Sequence, residues 1–413
     1  MKKFVLFIYF MFLSLALADS SEEPKKSKDT ITISSGYFEK WYTNDQLAVF
    51  GSELLKAGRR LEKYTVDNSS VDTSEWLVWL PRILTMYLYK TFRNAYHEIG
   101  HGLKNRAYGA DYALLKDDKT LTSFEKNENF FKYFVKKLGS PRSRGACYAS
   151  KELADTEELV VSAGGMNNEI YLAERQAEDF HKNGSLGGVE SFYYFYNRLS
   201  PVAYASKGKS EEDRDKPDTD VGDDPIAIEG YYKKLGISAR KSDIKSAGVI
   251  SLLLSGMTYS ILWGAYKNLS TDGGYTPKPF NVWGIRIPDT FSYITSKGIS
   301  YKVVSGYKMD ENLNLIFGLE TVLHGKSANE FSLGFDKTFG ESLHNISCKV
   351  VTTFGKGFNV EASCSYPILE CLSINFGGGS YSSKSLLGER HAKNMENGKG
   401  RSNNVFVSIS FLY

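Results

Sequence analysis

The sequence predicts an α+β protein in two parts, a helical region over residues 31–275 and an antiparallel β-barrel of eight or ten strands over residues 276–413. Three observations predict it. Up to about residue 275 the apolar residues recur at helical spacing, whereas after Pro279 they alternate with period two. The chain closes on one such alternation, Val405, Val407, Ile409, Phe411 and Tyr413. With 413 residues, 42% hydrophobic and 24% charged, there is ample material for a core, which excludes a disordered or collagen-like chain.

The elements follow in order. Lys2 and Lys3, the apolar run Phe4 to Leu15 and the small-x-small Ala16-Leu17-Ala18 predict a secretory signal peptide, residues 1–18, cut after Ala18. An uncleaved anchor is the alternative, but the run falls short of the roughly 20 residues a spanning helix needs. Loss of Lys2 and Lys3 takes the formal charge from +3 to +1, so net charge gives no support to a nucleic-acid partner. Four cysteines in an exported chain permit disulfides without defining a framework. A polar linker, residues 19–30, follows.

Leu47, Val49, Phe50, Leu54, Leu55 and Leu61 mark an amphipathic helix over about 44–64. A second helical stretch from Ser74 carries Trp76, Trp79, Ile83, Leu84 and Tyr87, with Pro81 and Arg82 inside it, and leads into a helix over 92–108. Residues 109–149 are mixed. A further helix over 152–181 ends at Asn183-Gly184. The stretch 207–224, with eight acidic and four basic residues, predicts an exposed loop. Residues 248–266 are 19 consecutive uncharged residues, equally compatible with a transmembrane helix and, given Ser251, Ser255, Gly256 and Ser260, with a fully buried one.

Nine candidate strands lie between Asn281 and Tyr413. Bacterial single-chain barrels have even strand numbers, so one assignment among the short segments near Ile287 and Tyr293 must change. Alternating segments of about ten residues are also the signature of an outer-membrane barrel, whose terminal aromatic Tyr413 resembles; a soluble β-sandwich alternates too. One register can be derived. With Gly355-Lys356-Gly357 as the turn and Lys356 its midpoint, Phe354 faces Phe358, Thr352 faces Val360, Val350 faces Ala362 and Cys348 faces Cys364. Cys371, out of phase with Leu372, Ile374 and Phe376, is expected to point inward instead.

The chemistry is concentrated in His97-Glu98-Ile99-Gly100-His101. On a helix, residues i and i+4 share a face, so His97 and His101 can hold one Zn²⁺ while Glu98 lies beside it as general base. In this HExxH motif the chain resembles the zinc metallopeptidases called zincins. Its continuation, Gly102-Leu-Lys-Asn-Arg-Ala-Tyr-Gly109, is similar to the site-2 protease family. The resemblance covers about twenty residues and implies His97 and His101 as ligands and Glu98 as base.

A catalytic zinc site keeps three protein ligands and one open position. Glu169, in Ala163-Gly-Gly-Met-Asn-Asn-Glu, looks like the third ligand of glutamate-type zincins, with Ala163, Gly164 and Gly165 allowing close approach of its helix. Ala173 departs from the acid those families often place four residues later. Asp223 and Asp224 are the rivals, by analogy with site-2 proteases, although Asp224-Pro225 also makes an ordinary helix start. His181 and Tyr193, Tyr194 and Tyr196 are candidate transition-state donors, with aromatic packing as the plainer role of the tyrosines.

These readings imply an exported zinc metallopeptidase anchored in the outer membrane, its helical region periplasmic and its substrates peptides or proteins of the envelope. A non-enzymatic barrel (pore, adhesin or assembly factor) with a structural or vestigial metal site is the alternative. An inner-membrane protease spanning at 248–266 is opposed by the terminal strands, since strand edges are not tolerated in lipid outside a closed barrel.

Overall fold

Helix α1 (Asn44–Asp67) and the 32-residue helix α2 (Trp76–Ala107) form the first layer of the helical region. In this computed structural model the described residues are 30–34, 44–67, 76–115, 130–139, 146–206, 225–270, 277–340, 346–369, 372–395 and 400–412. The expected signal peptide, the linker up to residue 29, Asp223, Asp224, Cys371 and Tyr413 lie outside them. The two helical stretches read on either side of residue 90 are one helix. Pro81 falls within two turns of its start, where few backbone bonds are lost, and its carbonyl accepts a bond from Thr85 Oγ1 at 2.7 Å. Leu47, Leu55, Phe92, Tyr96 and Ile99 bury their apolar stripes against Phe130, Tyr133 and Phe134 of α3 (Phe130–Leu138). The mixed segment also supplies β2 (Tyr112–Leu115) and β3 (Ala146–Ala149), a two-stranded antiparallel pair.

Two helices expected to be continuous are broken. Residues 152–181 divide into α4 (Asp155–Ser162) and α5 (Gly164–Asn183), with Ala163 ending one and starting the other. Residues 248–266 divide between α9 (Lys241–Leu253) and α10 (Gly256–Ser270), whose axes differ by 60°. The cause of the second break is Asp289, which accepts bonds from Ser255 Oγ at 2.7 Å and from the backbone of Met257 at 2.9 Å and so caps α10 from outside. Among the described residues no single helix is long and apolar enough to cross a membrane, though the bent pair together would be. Between these lie α6 (Gly188–Arg198), α7 (Ser200–Ser206) and α8 (Pro225–Lys234).

The C-terminal part is an antiparallel sheet. It comprises β4 (Asn281–Val282), β5 (Ile285–Arg286), β6 (Asp289–Thr295), β7 (Gly298–Lys308), β8 (Leu313–Gly325), β9 (Asn329–Thr338), β10 (Ser347–Phe354), β11 (Phe358–Leu369), β12 (Leu372–Ser382) and β13 (Arg401–Leu412). The segment expected to be miscounted resolves into the two-residue strands β4 and β5, ahead of β6 with Tyr293. Strand β1 (Thr30–Ser34), from the other end of the chain, pairs with β13 to make 11 strands. Strand order runs from β1 through β13 down to β7, β5 and β4, and no pairing joins β1 to β4 among the described residues. The sheet is thus present as expected, whereas its closure into a barrel is not seen.

The derived hairpin register holds at every pair: Phe354 opposite Phe358, Thr352 opposite Val360, Val350 opposite Ala362 and Cys348 opposite Cys364. The two cysteines form a disulfide with a Cα separation of 4.2 Å, close to the spacing of a non-hydrogen-bonded pair.

The sheet is apolar on its exposed side. Leu319, Phe331, Leu333, Phe335, Phe354, Phe358, Phe376, Val405, Val407 and Ile409 are exposed, while the alternate Glu320, Glu330, Thr353, Asn359, Ser402, Asn404, Ser408 and Ser410 are buried. A water-facing antiparallel sheet has the opposite pattern. Helices supply partners to charged residues on the buried side. Lys302 of β7 and Lys349 of β10 pair with Glu174 and Glu178 of α5. Glu320 of β8 takes both Nη atoms of Arg390, at 2.7 and 2.6 Å, from α11 (Leu386–His391) in the β12–β13 connection.

Candidate metal centre

The site forms where α2 crosses α5. A Cβ on Gly100 would lie 2.5 Å from the carbonyl of Gly164, and one on Gly164 would lie 2.6 Å from the carbonyl of Gly100, so the crossing admits no side chain at either position. Three consecutive α5 residues, pointing in successive directions about 100° apart, hold it there. Asn167 pairs with both backbone groups of Ile294 on β6, at 2.7 and 3.0 Å, Asn168 donates to the Tyr96 carbonyl of α2 at 3.0 Å, and Glu169 turns to the histidines.

His97 and His101, 3% and 4% exposed, aim the same ring atom at one place. A Cβ on Gly165 would lie 2.4 Å from His97 Nε2 and 2.6 Å from His101 Nε2. The hollow therefore exists because residue 165 has no side chain. The opposite ring nitrogens are engaged: His97 Nδ1 with Glu169 Oε1 at 2.9 Å and His101 Nδ1 with the Val161 carbonyl at 2.6 Å. Both partners are acceptors, so each Nδ1 carries the proton and each Nε2 presents its lone pair to the hollow. That tautomer is the one a metal requires. Val161 lies in the last turn of α4, two residues before the break at Ala163, and its carbonyl is reached there by the His101 ring.

Glu169, the expected third ligand, meets His97 through one carboxylate oxygen. Its Oε1 is on the Nδ1 edge of His97 and also accepts from Arg93 Nε at 2.8 Å. The other oxygen, Oε2, is buried with no hydrogen-bond partner among the described residues. Complete burial alone would raise its carboxyl pKa, but the charge of Arg93 and the bond to His97 outweigh this and hold it below the usual carboxylate range. Arg93, one turn before His97, is fixed in turn by the ring of Tyr196, 4.0 Å from its guanidinium carbon.

Glu98, next to His97 on α2, is partly exposed. The other expected donors go elsewhere: His181 Nε2 to Asp289 at 2.7 Å, Tyr193 to the Met86 carbonyl at 2.6 Å and Tyr194 to Ser255 Oγ at 2.7 Å. Sequence reasoning missed Tyr204 of α7. Its ring stacks on His97 with centroids 5.2 Å apart and planes 22° apart, and its hydroxyl is 3.5 Å from His97 Nε2, at the hollow. Nothing in Ser200-Pro-Val-Ala-Tyr-Ala-Ser206 marks it out before the chain folds.

The donor set suits a borderline metal such as zinc through two imidazoles, with a phenol oxygen nearby. Among the described residues no group of three His, Cys, Asp or Glu side chains is gathered to hold a metal.

The motif helix is also tied to the sheet. Lys104, one turn past His101, donates to the carbonyls of Glu389, at 2.6 Å, and Arg390 at the end of α11, and burial lowers its pKa to about 7. Compared with protein-family models, curated proteins and solved structures, the chain matches none of them.

Proposed function

We propose that the chain is a zinc metallopeptidase anchored in the outer membrane, with His97 and His101 as metal ligands and Glu98 as general base. The observation that carries this reading is the convergence of two Nε2 atoms on the hollow beside Gly165, with both Nδ1 atoms held by acceptors. Zinc bound there would polarise the scissile carbonyl and lower the pKa of the attacking water toward about 7. Glu98 takes a proton from that water and returns it to the leaving amine. Tyr204, with its hydroxyl at the hollow, donates a hydrogen bond to the developing oxyanion. Glu169 and Arg93 keep His97 in the productive tautomer, and the Val161 carbonyl does the same for His101.

The outer-membrane location, with the sheet as a barrel wall around α5 and α11 and the helical region on the periplasmic side, is supported by the inside-out pattern. The outward residues of β11 run from Phe358 to Ile368. At about 3.4 Å per residue this is roughly 34 Å along the strand, or about 24 Å in height at a 45° tilt, matching the ~25 Å apolar band of such barrels. Peptides or proteins of the envelope are then the substrates.

The test combines metal analysis with turnover. Purified full-length protein is expected to hold one zinc per chain, and Glu98→Gln to keep it while losing about 10²- to 10⁴-fold in peptide hydrolysis. Equal activity in the two proteins removes Glu98 from catalysis. Stoichiometric zinc with no hydrolysis by the unaltered protein turns the reading into a structural metal site.

A further inference from the structure

We propose that α9 and α10 lie in the lipid beside the sheet, and that the site takes polypeptide segments resident in or tethered to the membrane. The substrate half of this rests on the peptidase reading above. Along α9 the exposed positions change character: Lys245 and Ser246 are followed by Val249, Ile250 and Leu253. On α10 the exposed residues before Lys267 are Leu262, Ala265 and Tyr266, and Lys267 follows with its Nζ 5.0 Å from the ring of Trp263. Lysine thus bounds an uncharged segment at both ends, complementary to anionic lipid headgroups at the two margins of an apolar layer. Leu253 and Leu262, 54% and 53% exposed, lie in the middle of it.

The position of the pair favours hydrocarbon as the occupant over water. Ile244 and Ala247 of α9 pack with Ile294, Ile299 and Tyr301 of β6 and β7, and Tyr259 and Trp263 of α10 pack with Phe280, Val282 and Ile287 around β4 and β5. The two helices therefore cover the end of the sheet where the strand ladder stops. In lipid a strand edge has to be covered, and the covering element has to be apolar outside, as these helices are. Their exposed face continues the exposed apolar side of the sheet past its last strands.

The same pair reaches the site through α7. A Cβ on Gly248 would lie 2.7 Å from Val202 Cγ2, so α7 lies flush on α9 at the level where its outer face turns apolar. Two residues beyond Val202, Tyr204 stacks on His97. Helix α7 thus links the hollow to the helix that carries the lipid-facing surface.

Depth measurements on full-length protein test the first half. In a Cys147→Ser, Cys371→Ser background, nitroxides are attached after Lys245→Cys, Leu253→Cys, Leu262→Cys or Leu333→Cys, in phosphatidylethanolamine–phosphatidylglycerol vesicles. Oxygen in preference to a nickel chelate is expected to relax 253, 262 and 333, and the chelate to relax 245. Chelate access at 253 and 262 with 333 in lipid overturns the proposal and leaves the sheet anchored; a soluble partner or second copy then covers the helices. Chelate access at 333 as well overturns the membrane reading of the sheet too. For the substrate half, one peptide is assayed free and with a diacyl anchor in the same vesicles. The anchored form is expected to have at least tenfold higher kcat/KM, and combined Leu253→Glu and Leu262→Glu to remove that gain with the free-peptide rate unchanged. Equal rates on the two peptides overturn it, and cleavage of neither by zinc-loaded protein removes the peptidase reading as well.

Discussion

A single methyl group placed at residue 165 is expected to abolish metal binding. In a helix interior Gly→Ala ordinarily stabilises, by about 0.5–1 kcal/mol, because glycine loses the more entropy on folding. Here the new Cβ would meet His97 Nε2 at 2.4 Å and His101 Nε2 at 2.6 Å, where real Cβ contacts essentially never fall below 3.0 Å. Both rings must retreat by roughly 0.5 Å, an overpacking that costs about 1–3 kcal/mol and offsets the helical gain. The rings are not free to swing, since Nδ1 of each is bonded, at 2.9 and 2.6 Å. A zinc ion needs Zn–N distances of about 2.0–2.1 Å and so contends with the methyl for the same hollow. Gly165→Ala is therefore expected to change global stability by no more than about 2 kcal/mol while zinc stoichiometry falls from one to below about one tenth. Plasma emission spectrometry of the dialysed protein reads the metal, and thermal unfolding in detergent reads the fold. Full zinc content with normal peptide hydrolysis in Gly165→Ala would show that the two Nε2 atoms do not define the metal site.

Three further outcomes follow from the contacts around it. Glu169→Ala leaves the Arg93 guanidinium buried without its carboxylate, so stability is expected to fall by about 3–5 kcal/mol, and zinc affinity by about 10- to 100-fold in competition titrations, as His97 loses its orienting acceptor. Lys104 titrates near about 7 when folded against 10.5 as its ordinary value, so between these the unfolded chain holds a proton that the folded chain has released. Stability should rise as pH climbs through that window, be lowest below it, and lose this slope in Lys104→Met, as read by urea midpoints across pH. Thiol alkylation of unreduced, unfolded protein should modify Cys147 and spare Cys348 and Cys364; labelling of either of the last two denies the cross-strand disulfide.

Much of the architecture was legible because it depends on period. The switch from helical to alternating spacing after Pro279 needs only local side-chain geometry, and the register around Lys356 follows from a two-residue repeat on either side of a tight turn. The two helix breaks were not legible in the same way. Ala163 and Ser255 lie in good helical surroundings, and it is the Asp289 carboxylate, arriving from a strand 34 residues after Ser255, that caps α10 and breaks the run. The partnership of β1 with β13 joins the two ends of the chain, beyond the reach of any window of sequence.

At the site the division is the same. His97, Glu98 and His101 share one helix, so their spacing by itself determines that both imidazoles lie on one face with a carboxylate beside them. The role of Glu169 depended on which edge of which ring it meets, and α5 can settle that only by crossing α2 at Gly100 and Gly164. Tyr204 enters from a third helix. Sequence spacing determines relations along one element, where the backbone repeat carries the geometry. Tertiary structure alone decided which atoms from separate elements converge, because those distances are set by packing against residues far away in the chain.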